Sequence, residues 1–220
     1  MPDAPLAPGL IAPGLIALGL LAALAYLALA NRAPSPLRSV LKTAPLLLFA
    51  AAMYASRAPA LLVAALLLSA LGDGALSREG RAAFLYGLAA FALAHLVYVL
   101  LFLGLGATAL WEAFAIAPLA ALAMLALAFS TELWLAPHAG GLRWPVRLYV
   151  ALITAMGWAA LSTGNGLLIA GAVLFILSDF ILALRMFRLA PASTLALWAG
   201  WGVWLSYIAG QLLIVLALAP

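Results

Sequence analysis

Two carboxylates and one amine sit inside runs of residues that otherwise look made for lipid: Asp73 in LLLSALGDGAL (66–76), Asp179 in LFILSDFIL (174–182), and Lys42 near the start of an apolar run at 38–56. An ionisable side chain inside a bilayer is costly, so it is kept where it meets a partner, a water-filled cavity or a reaction. Two carboxylates against one amine leave a surplus of acid. If the two are close, they do not both ionise easily; one is held protonated while the other stays charged, and the pair divides into general acid and general base. A two-carboxylate hydrolase needs that division, with its carboxyl groups no more than about 10 Å apart. Asp179 has the more apolar flanks (FILS and FILAL) and is the expected acid; Asp73, beside Gly72, Gly74 and a polar loop, is the expected carboxylate. The same groups could instead only neutralise one another between helices, as buried membrane charges commonly do.

Other polar residues are candidates for shaping a substrate site rather than for proton transfer. In FLYGLAAFALAHLVYVL (84–100), Gly87, Phe91, His95 and Tyr98 fall on one helical face, and Tyr86 lies near the level of the two aspartates. Tyr207 and Gln211 sit on the last apolar run, where Gln211 could equally tie helices together. Glu112, Glu132 and His138 lie near the ends of runs and are expected to be solvated. The spacing of Glu132 and His138 is poor for a metal site. There is no cysteine, which excludes disulfides, Cys-ligated zinc and thiol nucleophiles, and no GxSxG elbow for a serine hydrolase. Acid–base hydrolysis by two carboxylates calls for no cofactor.

The elements that must hold these residues are membrane helices. Of 220 residues, 69% are hydrophobic and 7% charged, whereas about a quarter of a soluble domain is charged. Each bilayer crossing takes roughly 20 mostly apolar residues, and the chain offers eight such runs: 9–30, 38–56, 59–76, 82–103, 110–134, 145–162, 166–186 and 193–217. The expected fold is all-α, a single polytopic bundle over residues 1–220 with eight transmembrane helices. The stretch before the first run has Asp3 but no Lys or Arg, unlike the basic start of a cleaved signal peptide, so the first run is expected to remain as a helix.

Loop charges orient the bundle. Arg32, Arg38, Arg78, Arg81, Arg143, Arg147, Arg185 and Arg188 lie in or beside odd-numbered connections, and only Arg57 in an even one. The positive-inside rule makes the odd connections cytoplasmic and puts both termini outside. The net charge of +4 is therefore a topology signal rather than a nucleic-acid surface. The Arg-, Ala- and Leu-rich composition fits a GC-rich bacterium, hence an inner (plasma) membrane. Lys42 is four residues from Arg38, Asp73 five from Arg78 and Asp179 six from Arg185, so all three lie on the order of 6–9 Å inside the cytoplasmic boundary. Runs three and seven each carry one aspartate and run the same way, which suggests a parallel four-plus-four repeat with a site between halves.

Lys42 with Pro45, SALGD (69–73), Phe84 through Gly87 with Phe91, His95 and Tyr98, GAVLFILSDFILA (171–183) and YIAGQLLI (207–214) together resemble the YhhN family, over nearly the whole chain from about residue 38. The most specific element is the GAxLFxxSD signature. The resemblance implies an eight-helix lysoplasmalogenase, which hydrolyses the vinyl ether of a lysoplasmalogen, a single-chain lysophospholipid drawn from the membrane, to a fatty aldehyde and a glycerophospho-alcohol. That chemistry suits two carboxylates: protonating the β-carbon of a vinyl ether yields an oxocarbenium ion that water captures. Its substrate-binding residues would be Lys42, Tyr86, His95, Tyr98, Tyr207 and Gln211. The competing readings are a proton-coupled transporter or lipid carrier using the same carboxylates, and a non-catalytic bundle in which they only fix packing.

Overall fold

The structure, a computed structural model, describes residues 8–106, 109–191 and 193–220; Asp3 lies outside them. Every regular element among the described residues is helical: α1 Pro8–Leu27, α2 Pro36–Ala55, α3 Ala60–Leu76, α4 Arg81–Leu103, α5 Glu112–Ile116, α6 Pro118–Trp134, α7 Arg143–Ser162, α8 Gly166–Phe187 and α9 Thr194–Leu218. Polar residues at the connections start several of them. The Ser35 side chain accepts from the Arg38 amide ahead of Pro36, Asn165 accepts from the amides of Leu167 and Leu168, and Ser193 accepts from that of Ala196.

Six segments are long and apolar enough to cross a bilayer: Pro36–Ala55, Arg81–Leu103, Pro118–His138, Gly140–Ser162, Gly166–Phe187 and Thr194–Leu218. The chain is an integral membrane protein. Shorter apolar helices cover Ile11–Leu27 and Ala60–Leu76. The expected run 110–134 is not one helix. It divides at Ala117 (φ −142°, ψ 67°) into α5 and α6, because Pro118 disfavours helical geometry in the residue before it and has no N–H to continue the ladder.

Packing passes from neighbour to neighbour and closes on itself: α1 on α2, α2 on α3, α3 on α4, α4 on α7, α7 on α8, α8 on α9, and α9 back to α1. The last contact is fastened by two indoles, Trp201 Nε1 donating to Leu27 O at 3.1 Å and Trp204 Nε1 to Ala23 O at 2.9 Å. α6 stays outside this ring against α7, with Ala121 its one buried residue. Where helices must come closest, glycine allows it. A Cβ on Gly171 of α8 would stand 2.9 Å from Gly210 O of α9, and one on Gly210 would stand 2.8 Å from Gly171 O, so the helices bearing Asp179 and Tyr207 touch backbone to backbone.

Candidate active site

Asp73, in the last turn of α3, is 2% exposed and both of its oxygens face donors. Lys42 Nζ on α2 lies 3.5 Å from Oδ1, and Tyr207 on α9 donates its hydroxyl hydrogen to Oδ2 at 2.8 Å. Removing one partner of such a buried pair costs about 3–5 kcal/mol, because it strands the other charge. Three helices are thereby tied at one carboxylate.

Asp179, on α8, is 18% exposed and differently served. Tyr149 on α7 donates to its Oδ2 at 2.7 Å, and Nε2 of His95 on α4 stands 3.8 Å from the same oxygen. Oδ1 accepts no hydrogen bond among the described residues, and no Lys or Arg is paired with this carboxyl group. His95 is fully buried with neither ring nitrogen hydrogen-bonded, packed edge-on against Phe175 at 4.8 Å and Tyr149 at 5.1 Å between ring centres. One aspartate has the surroundings of a fixed anion; the other has a free oxygen and no counter-ion.

Deeper in the bundle, Tyr98 donates to Gln211 Oε1 at 2.5 Å and Gln211 Nε2 donates to Ser69 Oγ at 3.1 Å, linking α4, α9 and α3. Tyr98, Gln211 and His95 are fully buried behind the cavity wall. Gly87, Phe91, His95 and Tyr98 do share the buried face of α4. Tyr86 does not join them: at 74% exposure it points away from the bundle and lines neither cavity, since its place on the helix turns it outward.

Two cavities meet at Asp179. One, of about 330 Å³, carries the charged groups: Arg38, Lys42, Asp73, Arg78, Asp179 and Arg185 stand in its wall, beside Tyr207 and apolar residues such as Leu76 and Val203. Exposure falls from Arg78 on the surface, through half-buried Arg38 and Arg185, to Lys42 at 13% and Asp73 at 2%, so the arginines mark the mouth. The other, of about 110 Å³, runs between α6 and the face made by α4, α7 and α8. Its lining is nearly all apolar, with Leu88, Met124, Ile153 and Phe180 typical. Phe84, Phe91, Leu182 and Asp179 belong to both.

Tyr149 and the three mouth arginines were not singled out as site residues from the sequence. A signal for Tyr149 exists: it is six residues after Arg143, the offset that separates Asp179 from Arg185. Elsewhere, Glu132 pairs with Arg147 at 2.6 Å with both partly exposed, and His138 lies 3.3 Å from the Arg188 guanidinium. These contacts fasten connections near the membrane surface, away from the aspartates.

Fold and site together define an all-helical integral membrane protein with acidic groups enclosed between its helices. The chain belongs to the YhhN family, which it matches over residues 37–218. It is 34% identical over 158 residues to proteins named lysoplasmalogenase from Mycobacterium bovis and Mycobacterium tuberculosis; the match covers 70% of this chain and 58% of theirs. The chain thus spans under two thirds of the length of those relatives. No solved structure matches it.

Proposed function

We propose that the protein is a membrane-embedded hydrolase that cleaves the vinyl ether of lysoplasmalogen-type lysophospholipids. The observation that carries this reading is the meeting at Asp179 of a cavity lined with basic groups and an almost wholly apolar one. A lipid with one chain and a charged head has the same two-part character, and its head–chain junction is where the vinyl ether lies. The relatives' name and the family point the same way.

The surroundings of the two aspartates support a division of roles between them. Asp179 Oδ2 accepts from Tyr149, which leaves Oδ1 to carry the transferable proton; Asp73, between Lys42 and Tyr207, is the carboxylate. Asp179 protonates the β-carbon of the vinyl ether, and the resulting oxocarbenium ion lies between two carboxylates. Asp73 removes a proton from water as its oxygen bonds to the α-carbon, giving a hemiacetal. Asp73 then returns that proton to the departing glycerol oxygen while Asp179 takes the hemiacetal hydroxyl proton. The C–O bond breaks, the fatty aldehyde and glycerophospho-alcohol leave, and both aspartates regain their starting states. Water supplies every atom added, and the chain's own carboxyl groups move every proton.

We further take the two shorter apolar helices as membrane crossings, making eight with the six longer segments, and the arginine-bearing connections as cytoplasmic. The deciding experiment incubates purified protein with a lysoplasmalogen and with its acyl counterpart. Aldehyde from the first, without free fatty acid from the second, is expected; absence of aldehyde overturns the reading and leaves the carrier.

A further inference from the structure

We propose that Arg185 and Arg78 form a binding site for the lipid phosphate at the cavity mouth, with Arg185 set in place by Asn31 and Gly200. The proposal rests on the function proposed above for the kind of lipid; the residues that meet its phosphate come from the geometry.

The three mouth arginines are not equivalent. Arg38 is committed to the fold: Nε donates to Leu29 O at 3.2 Å, one terminal nitrogen to Ser77 O at 3.1 Å and the other to Ala30 O at 3.4 Å, and the group lies over the Tyr26 ring. It closes the α1–α2 connection onto the end of α3. Arg185 gives one hydrogen bond, to Asn31 Oδ1 at 3.0 Å, and Arg78 gives none among the described residues; both line the cavity. Their remaining N–H groups are available to a ligand.

Arg185 is also held in position. Asn31 bridges the two ends of the chain, donating from its amide nitrogen to Leu197 O at 3.0 Å while its oxygen receives Arg185. Gly200 makes room for this arrangement: a Cβ there would overlap Asn31 Oδ1 and press on the guanidinium. A positive-inside signal needs only charge, which an untethered Lys supplies as well. A planar fork fixed over a cavity matches the oxygens of a phosphate. The acidic residues lining this cavity, Asp73 and Asp179, both belong to the acid–base pair, so the lining holds no separate carboxylate for an amine on the headgroup. The arginines therefore read the phosphate rather than the amine beyond it.

The test is binding, read from tryptophan fluorescence of the full chain in nanodiscs. The ligands are an alkyl-ether lysophosphocholine, which has no vinyl ether to cleave, its ethanolamine form, and the matching alkylglycerol without phosphate. Each phosphate-bearing lipid is expected to bind roughly 10- to 100-fold more tightly than the alkylglycerol, as charged hydrogen bonds allow. Arg185→Gln should erase most of that preference and Arg185→Lys part of it, while Arg32→Gln, which removes a nearby exposed charge, should leave it intact. Asn31→Leu keeps every charge and should still weaken the preference, which covers the case that Arg185→Gln does not fold. Displacement of the lipid by millimolar inorganic phosphate would identify the bare anion as a ligand of the same site; no displacement would assign it to the lipid headgroup. An unchanged preference in both the Arg185→Gln and Asn31→Leu proteins would overturn the proposal. If the preference persists in a protein that releases no aldehyde, the phosphate site stands and the hydrolase reading falls.

Discussion

Tyr149 donates its hydroxyl hydrogen to Asp179 Oδ2 at 2.7 Å, from a helix that carries no acidic residue of its own. The bond selects which oxygen of Asp179 is free, so it acts on the proton rather than on the lipid. Tyr149→Phe should lower kcat by roughly 10- to 100-fold, the worth of one hydrogen bond to such a group, with little change in KM. Steady-state kinetics on a lysoplasmalogen check this; a rise in KM alone would make Tyr149 a wall residue.

Asp73→Asn and Asp179→Asn should each lose about 10²–10⁴ in rate, the usual contribution of an acid–base group, while the protein still extracts and folds as the parent does. Aldehyde release with size-exclusion behaviour as the folding control is the measurement. Wild-type turnover by either variant would remove the paired-carboxylate mechanism.

His95 touches the cavity only through Asp179 and Tyr149, so His95→Gln should reduce activity partially, through the orientation of those two groups. The comparison to make is with the aspartate variants under the same assay. A loss as complete as theirs would place His95 among the proton carriers.

The Tyr98–Gln211–Ser69 chain lines neither cavity and links three helices. Tyr98→Phe should cost about 1 kcal/mol of bundle stability, a typical interhelical hydrogen bond, with a small effect on turnover. Unfolding in mixed detergent micelles would read the first, and the aldehyde assay the second.

Topology carries its own expectation: reporters fused at positions 32, 80, 143 and 188 should report cytoplasm, and both termini the outside. A cytoplasmic C-terminus would change the number of crossings and break the common depth of Lys42, Asp73 and Asp179.

Membrane character and the positions of the helices were legible in the amino-acid sequence, because each depends on local quantities. Hydropathy decides whether a segment prefers lipid, and a fixed rise per residue sets how many residues a crossing takes. The exception, the expected run 110–134, breaks on an equally local fact, Pro118, which ends the helical ladder even within so apolar a stretch. What the tertiary structure decided is direction around each helix axis and the identity of neighbours. Tyr86 and Tyr149 are both tyrosines of membrane-crossing segments, yet one faces outward and the other bonds Asp179; Arg38 and Arg185 line the same cavity, yet one is consumed by carbonyls and the other keeps donors free. In a bilayer the outer face of a bundle is as apolar as its core, so hydrophobic periodicity does not say which side of a helix is inside. That choice rests on close fits such as Gly171 against Gly210, which arise only once distant helices have met.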